Sequence, residues 1–259
     1  MVGLTAMVKI LALTNGSPHS WAVVNSIVDL HGPITVLTEP KEPRGELIKR
    51  RISLHGLGPV VGQVGFVLLQ RLIGRLSQAR VSQIIAEERL NVGPNPSCDL
   101  RAIENVNSPA CLEAIAEINP DVVIVYGTRI IRAASLQAIK APLINLHAGI
   151  TPKYRGQAGG YWAFANGDPD HAGVTVHLVD RGVDTGDVLY QGRIDRTKRD
   201  NFSTYFFLQA AALRALVLKA IDDVAEGTLN PHKPSLPSRQ YYHPTLWGYL
   251  WRGVTAGVW

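Results

Sequence analysis

The predicted strand Asp121-Val122-Val123-Ile124-Val125-Tyr126 constrains this chain most, because past Asp121 it is apolar at five consecutive positions and so offers no polar face to solvent. A strand of that kind is covered on both sides, as in parallel sheets flanked by helices. The same design recurs at the start of the chain, where an apolar run over residues 8–13 leads to a predicted helix over 20–30 and a second short strand over 34–37. This is the opening of a βαβ unit. Ser108 is placed to cap a helix running to Ile118, since a serine side chain can accept from the free amides of a first turn. A further helix over 133–139, strands over 142–147, 174–178 and 188–191, and a long helix over 203–226 complete the pattern. The fold class read from it is α/β: a Rossmann-like, mostly parallel sheet followed by a carboxy-terminal helix and an aromatic tail. At 259 residues one core with an appendage fits. Residues 1–200 are expected to form that core, with 201–259 packed on it.

Composition narrows the setting. A net charge of +5 favours an anionic partner, be it a phosphorylated metabolite, RNA or an acidic membrane surface. Cys98 and Cys111 are too few for a disulfide scaffold and lack metal-ligand spacing, so a reducing cytoplasm is expected. Residues 1–7 lack the basic region and cleavage pattern of an export signal. Residues 56–73 are apolar but interrupted by Pro59, Gln63, Gln70 and Arg71, and therefore read as a helix packed on the core, contact with a membrane or a partner being the alternative, with no transmembrane segment expected. The prolines 231, 234, 237 and 244, with Trp247, Trp251 and Trp259, make a tail that should lie against the body or against a second subunit of a homodimer.

The chemistry is concentrated in Asn145-Leu146-His147, Arg155-Gly156 and Asp184-Thr185-Gly186. Alternation along a strand points Asn145 and His147 the same way. Transfer of a carbonyl group to an amine passes through a tetrahedral oxyanion, which needs donors where the charge develops. An asparagine amide and a protonated imidazole are such donors. An imidazole tuned by a carboxylate also takes the proton lost by the attacking ammonium, and Asp184 suits that tuning role. Taken singly, each of these residues equally fits a strand end or a turn; their joint occurrence in this order is the signal.

The run Asn145-Leu146-His147-Ala148-Gly149-Ile150-Thr151-Pro152-Lys153-Tyr154-Arg155-Gly156, then Gly167-Asp168, Gly173-Val174-Thr175-Val176-His177 and Val183-Asp184-Thr185-Gly186, closely resembles the folate-dependent formyltransferases. The resemblance covers about residues 100–195 strongly and implies a sheet of the formyltransferase type. It implies catalytic roles for Asn145, His147 and Asp184, with 10-formyltetrahydrofolate as formyl donor and no metal required. The pterin would lie beside Tyr126, Gly127, Thr128 and Ile130 and the loop carrying Leu178 and Asp180. An ordinary turn at Gly127 and core packing of Ile130 are the alternatives. His177 reads as a packed histidine rather than a second base.

For the acceptor, Asn15-Gly16-Ser17 after the first strand is either an anion seat at a helix start or a simple turn. Arg155 and Gly156 complete the acceptor set by shaping the loop beside the formyl group. The long helix that follows the last strand argues against a tRNA-binding domain, so no nucleic acid is expected. The extra material at 42–89 and in the tail resembles the formyltransferases of nucleotide-linked amino sugars. This implies an acceptor such as GDP-perosamine and a place in surface-polysaccharide (O-antigen) synthesis. Arg44, Lys49, Arg50 and Arg51 would face a diphosphate or form a solvated helix face. A glycinamide ribonucleotide enzyme and a non-catalytic folate-binding module are the other readings.

Overall fold

Residues 8–259 are described by the structure, a computed structural model. The expectation about export concerned residues 1–7, which lie outside the described residues. The chain begins with β1 (Ile10–Thr14), α1 (Pro18–His31) and β2 (Thr35–Thr38). Three helices follow, α2 (Arg44–His55), α3 (Leu57–Leu76) and α4 (Gln78–Glu87), and then the edge strand β3 (Asp99–Ala102). The central elements are α5 (Pro109–Ile118), β4 (Val122–Tyr126), α6 (Ala133–Ala138) and β5 (Leu143–His147). Next come β6 (Arg155–Gly156), α7 (Gly159–Ala165), β7 (Gly173–Leu178) and β8 (Val188–Arg193). The chain closes with α8 (Phe202–Glu226), β9 (Gln240–Tyr241) and α9 (Leu246–Ala256).

Seven strands form one sheet in the order β3-β2-β1-β4-β5-β7-β8. The pairs from β3 to β5 are parallel, while β7 runs antiparallel to β5, and β8 antiparallel to β7. Alternation along the strands divides the core into two layers. Ile10, Ala12, Ile124 and Leu146 face α1 and α8, where Leu213, Val217 and Ile221 complete one cluster. Leu11, Leu13, Val123 and Val125 face α5, against Cys111 and Ile115. Ser108 does cap α5, its Oγ accepting from the Cys111 amide at 3.3 Å.

Three of the elements that were not expected have a local physical reason. Strand β3 carries exposed charges and no apolar alternation, because it is a sheet edge with little to bury. Helix α7 opens on two glycines, poor helix formers that are tolerated because close packing at its start excludes a Cβ. Helix α9 lies in the proline-rich tail, started by the Thr245 side chain accepting from the Gly248 amide at 3.2 Å. The tail lies against the body: β9 pairs with β6, aligning Gln240 with Arg155 and Tyr241 with Gly156.

The helix expected at 56–73 exists as α3, but it packs on one side only. Val60, Gln63 and Phe66 are buried, whereas Leu57, Val61, Leu68 and Leu72 are 65%, 57%, 57% and 55% exposed. By length and composition alone, both α3 and α8 are apolar enough to cross a membrane, a test that the core helices of soluble proteins also pass.

Candidate active site

The strand order reverses between the parallel neighbours β1 and β4, and the carboxyl ends of strands at such a switch point are where open α/β sheets hold ligands. Asn15-Gly16-Ser17 follows β1 there and Gly127 follows β4. The two loops touch: a Cβ on Gly127, whose φ is +75°, would lie 2.9 Å from the Asn15 amide nitrogen. The loop after β1 satisfies its own amides. Gly16 N–H donates to Thr14 Oγ1 at 3.3 Å and Ser17 N–H to Asn15 Oδ1 at 3.0 Å. Ser17 makes no cap bond, its hydroxyl instead meeting His19 Nε2 at 3.0 Å and Ser20 Oγ at 3.1 Å.

One strand further along the sheet, Asn145, His147 and Asp184 come together. Asn145 and His147 lie on one face of β5, as alternation requires, and the loop between β7 and β8 brings Asp184 to both. Asn145 Nδ2 donates to Asp184 Oδ1 at 3.2 Å, and His147 Nδ1 lies 3.4 Å from Asp184 Oδ2. His147 Nε2 donates to the Tyr154 carbonyl at 2.8 Å; a carbonyl only accepts, so this nitrogen carries the hydrogen and Nδ1 faces the carboxylate. Asp184 itself sits in the left-handed region at φ +51°, which a short polar side chain tolerates. Gly156 N–H donates to its Oδ2 at 2.9 Å.

Burial works to raise the Asp184 pKa, but the field of His147, then the hydrogen bond and charge of His177, and the Gly156 amide overcome it. The carboxyl is held well below the usual carboxylate range.

His177, read from the sequence as a packed histidine, is buried, and what sequence reasoning missed is its place in this cluster. Its Nδ1 donates to the Leu178 carbonyl at 2.7 Å, which leaves Nε2 to accept from Asn145 Nδ2 at 3.0 Å. Nε2 is also 3.6 Å from Asp184 Oδ1. The signal was the antiparallel pairing of β5 with β7, which sets His177 opposite Asn145; neither strand alone reveals it. Tyr154 was also missed as a partner of His147. Its hydroxyl donates to Asp168 at 2.8 Å, and Asp168 is bound by Lys153 and His171, each at 2.7 Å. Burial raises the Asp168 pKa, but these three bonds prevail and bring it down to about 2.

Close backbone approach locks the cluster. A Cβ on Gly149 would lie 2.4 Å from the Tyr154 carbonyl oxygen and 2.8 Å from His147 Nε2, and one on Gly186 would lie 1.7 Å from the Leu178 carbonyl oxygen. Arg155 braces the same loop, donating to the Val183 carbonyl at 2.7 Å and to Ser238 Oγ at 2.9 Å. Asp180 closes the loop on itself by accepting from Gly182 N–H at 3.0 Å and Thr185 Oγ1 at 2.6 Å.

Among the residues expected beside the pterin, the Tyr126 hydroxyl is buried without a hydrogen-bond partner among the described residues. Burial pushes its pKa up. Thr128 Oγ1 turns to the Arg129 carbonyl at 3.0 Å. Ile130 is 63% exposed, which removes the core-packing alternative. Of the basic group on α2, Arg50 pairs with Glu42 at 2.6 Å and Lys49 is exposed. Arg51 turns inward to Gln63 and to Gln157, at 3.2 and 3.1 Å, next to Gly156. Only the backbone of Arg44 is described.

Comparison with known proteins bears on this geometry. Residues 74–216 match the sequence profile of the family described as formyl transferase. Methionyl-tRNA formyltransferase of Thermodesulfovibrio yellowstonii is 33% identical over 130 residues, which are 49% of this chain and 42% of that protein. The match therefore spans less than half of the curated relative. An N-formyltransferase from Helicobacter canadensis, solved with folinic acid and dTDP-3-aminofucose, superposes with a TM-score of 0.55 at 17% identity, covering 91% of this chain and 71% of that one. Glycinamide ribonucleotide transformylase 1 from Symbiobacterium toebii superposes with a TM-score of 0.56 at 18% identity, covering 90% and 92%. At these identities the likeness is one of fold.

Proposed function

The chain belongs to the formyl transferase family, and on that premise we propose that it moves a formyl group from 10-formyltetrahydrofolate to the primary amine of a nucleotide-linked amino sugar in the cytoplasm. The carrying observation is the joint placement of Asn145, His147 and Asp184 within hydrogen-bond or ion-pair reach of one another. The amine attacks the formyl carbon, and the C–N bond to the donor breaks after a tetrahedral oxyanion forms. Asn145 would turn to that oxyanion one of the two N–H groups that rest on Asp184 and His177, and His147 would donate to it once Nδ1 is protonated. The proton released by the amine has a seat at His147 Nδ1, the nitrogen turned toward the Asp184 carboxylate, and is returned from there to the donor nitrogen as its bond to the formyl carbon breaks. His177 holds the Asn145 amide in place. Folate would lie beside Tyr126, whose buried hydroxyl has no partner among the described residues, and beside exposed Ile130.

Support for the sugar comes from the likeness to the Helicobacter enzyme along 91% of this chain, together with the positive charge and the half-buried Arg51 behind Gln157. GDP-perosamine is the proposed acceptor, within surface-polysaccharide synthesis. A second reading, glycinamide ribonucleotide, is favoured by the superposition that covers 92% of that transformylase. Release of tetrahydrofolate should be measured with GDP-perosamine, a dTDP-linked 4-amino sugar, glycinamide ribonucleotide and methionyl-tRNA under identical conditions, comparing kcat/KM. Preference for glycinamide ribonucleotide or the tRNA overturns the sugar reading. Preference for the dTDP sugar overturns the base alone. Folate binding without turnover on any acceptor makes the chain a binding module.

A further inference from the structure

Helices α3 and α9 pack together on the outside of the molecule, and each turns a stripe of large apolar side chains outward. On α3, Leu57, Val61, Val64, Leu68 and Leu72 recur at helical spacing and are 65%, 57%, 40%, 57% and 55% exposed. On α9, Trp247, Leu250, Trp251 and Val254 do the same, at 55%, 42%, 69% and 79%. The two faces join at Trp247, whose ring lies on Gly62: a Cβ there would fall 2.4 Å from it. A contiguous apolar surface of this kind marks an interaction site.

Charge selects the occupant. Between positions 47 and 86 the chain has no Asp or Glu, and after Glu226 it has none at all. Arg71 and Arg75 lie at the carboxyl end of the exposed α3 stripe, and Lys49 is exposed on neighbouring α2; none of the three has an ion-pair partner among the described residues. Two copies meeting through this face would oppose like charges. An anionic bilayer would neutralise them while accepting the leucines and the tryptophan rings, whose amphipathic bodies suit the headgroup boundary. We infer that the α3–α9 face docks the enzyme on the surface of an anionic phospholipid bilayer, with both helices lying in the interface plane rather than spanning it. The inference does not depend on the acceptor.

The test is flotation of the full chain with vesicles of phosphatidylcholine alone and of phosphatidylcholine with phosphatidylglycerol. Binding to the anionic vesicles should exceed binding to the neutral ones by at least about tenfold, and should fall with salt, because screening shortens the reach of the cationic rim. Leu68→Glu with Trp251→Glu should abolish it, and Arg71→Glu with Arg75→Glu should weaken it severalfold; thermal melts confirm that the variants fold. Equal partition onto both vesicle types, absence from both, or binding that survives Leu68→Glu with Trp251→Glu would overturn the inference. So would a dimer in light scattering that this double variant dissociates, for then the face belongs to a second copy.

Discussion

The Asp184 cluster and the α3–α9 face are built on opposite terms. In the cluster, both oxygens of one carboxylate are taken, by Asn145 on one side and by Gly156 and His147 on the other. On the helical face, leucines, tryptophans and cations with no ion-pair partner among the described residues meet solvent. A polar group removed from water must be satisfied from within the chain, whereas an apolar surface left outside has its partner outside. The cluster is thus sensitive to single atoms, and the outer face should be indifferent to them as long as the chain is alone.

The strongest way to break this contrast is to truncate the donors. Asn145→Ala or His147→Ala should lower kcat by roughly 10²-fold or more, since each removes a donor to the oxyanion. Circular dichroism should show an intact fold. Near-normal turnover in both variants would strip the cluster of its catalytic role. Asp184→Asn should also lower the rate and displace the acid limb of the pH-rate profile, because the neutral amide no longer offsets a proton on His147; an unchanged profile at unchanged rate would make Asp184 a turn residue.

Gly149 tests the same region through packing. An added methyl meets backbone at 2.4 Å, so Gly149→Ala should cost about 1–3 kcal/mol of stability and reduce turnover by shifting the Tyr154 carbonyl away from His147. A melting temperature and rate equal to those of the unaltered chain would show that the loop has slack.

How much of this was legible in the sequence follows from the range of the interactions. Strand β4 was visible because burial on both faces leaves an unbroken apolar run, β1 and β5 because apolar residues dominate runs of strand length, and the shared face of Asn145 and His147 followed from alternation alone. The role of His177 was not, because it depends on which residue of another strand stands opposite, a property of the register. Nor was the tail's return to the loop at Arg155 and Gly156 visible, since a two-residue strand carries no periodicity. Helix α3 was read as a core helix for a related reason: apolar content reports that a surface is covered, not what covers it.

A subtler difference lies in the histidines. His19 and His243 are held near pKa 4, down from 6.5, first by burial and then by Lys41 and Arg51 respectively. Between pH 6.5 and 4 the unfolded chain therefore binds protons that the folded chain refuses, and stability falls as pH falls. Below that window the depressed carboxyls of Asp168 and Asp184 continue the loss, since they stay ionised in the folded chain after their unfolded counterparts protonate near 3.8. Melting temperatures taken across pH 7 to 4 should decline, with a shallower slope for His243→Gln. A flat profile would show that neither ring is held neutral.

The smallest effect is expected on the outer face and sharpens the contrast most. Leu68 and Trp251 are 57% and 69% exposed, so Leu68→Ser and Trp251→Ser leave little cavity and strand no polar partner. Each should change stability by no more than about 0.5 kcal/mol in buffer, the range of ordinary surface substitutions. Turnover on soluble substrates should be unchanged, because neither side chain reaches the Asp184 cluster. Urea unfolding of the single variants measures this directly. A loss above about 1 kcal/mol in either would mean that the α3–α9 face holds the fold together; losses within the surface range leave an apolar face whose composition the folded chain itself does not require.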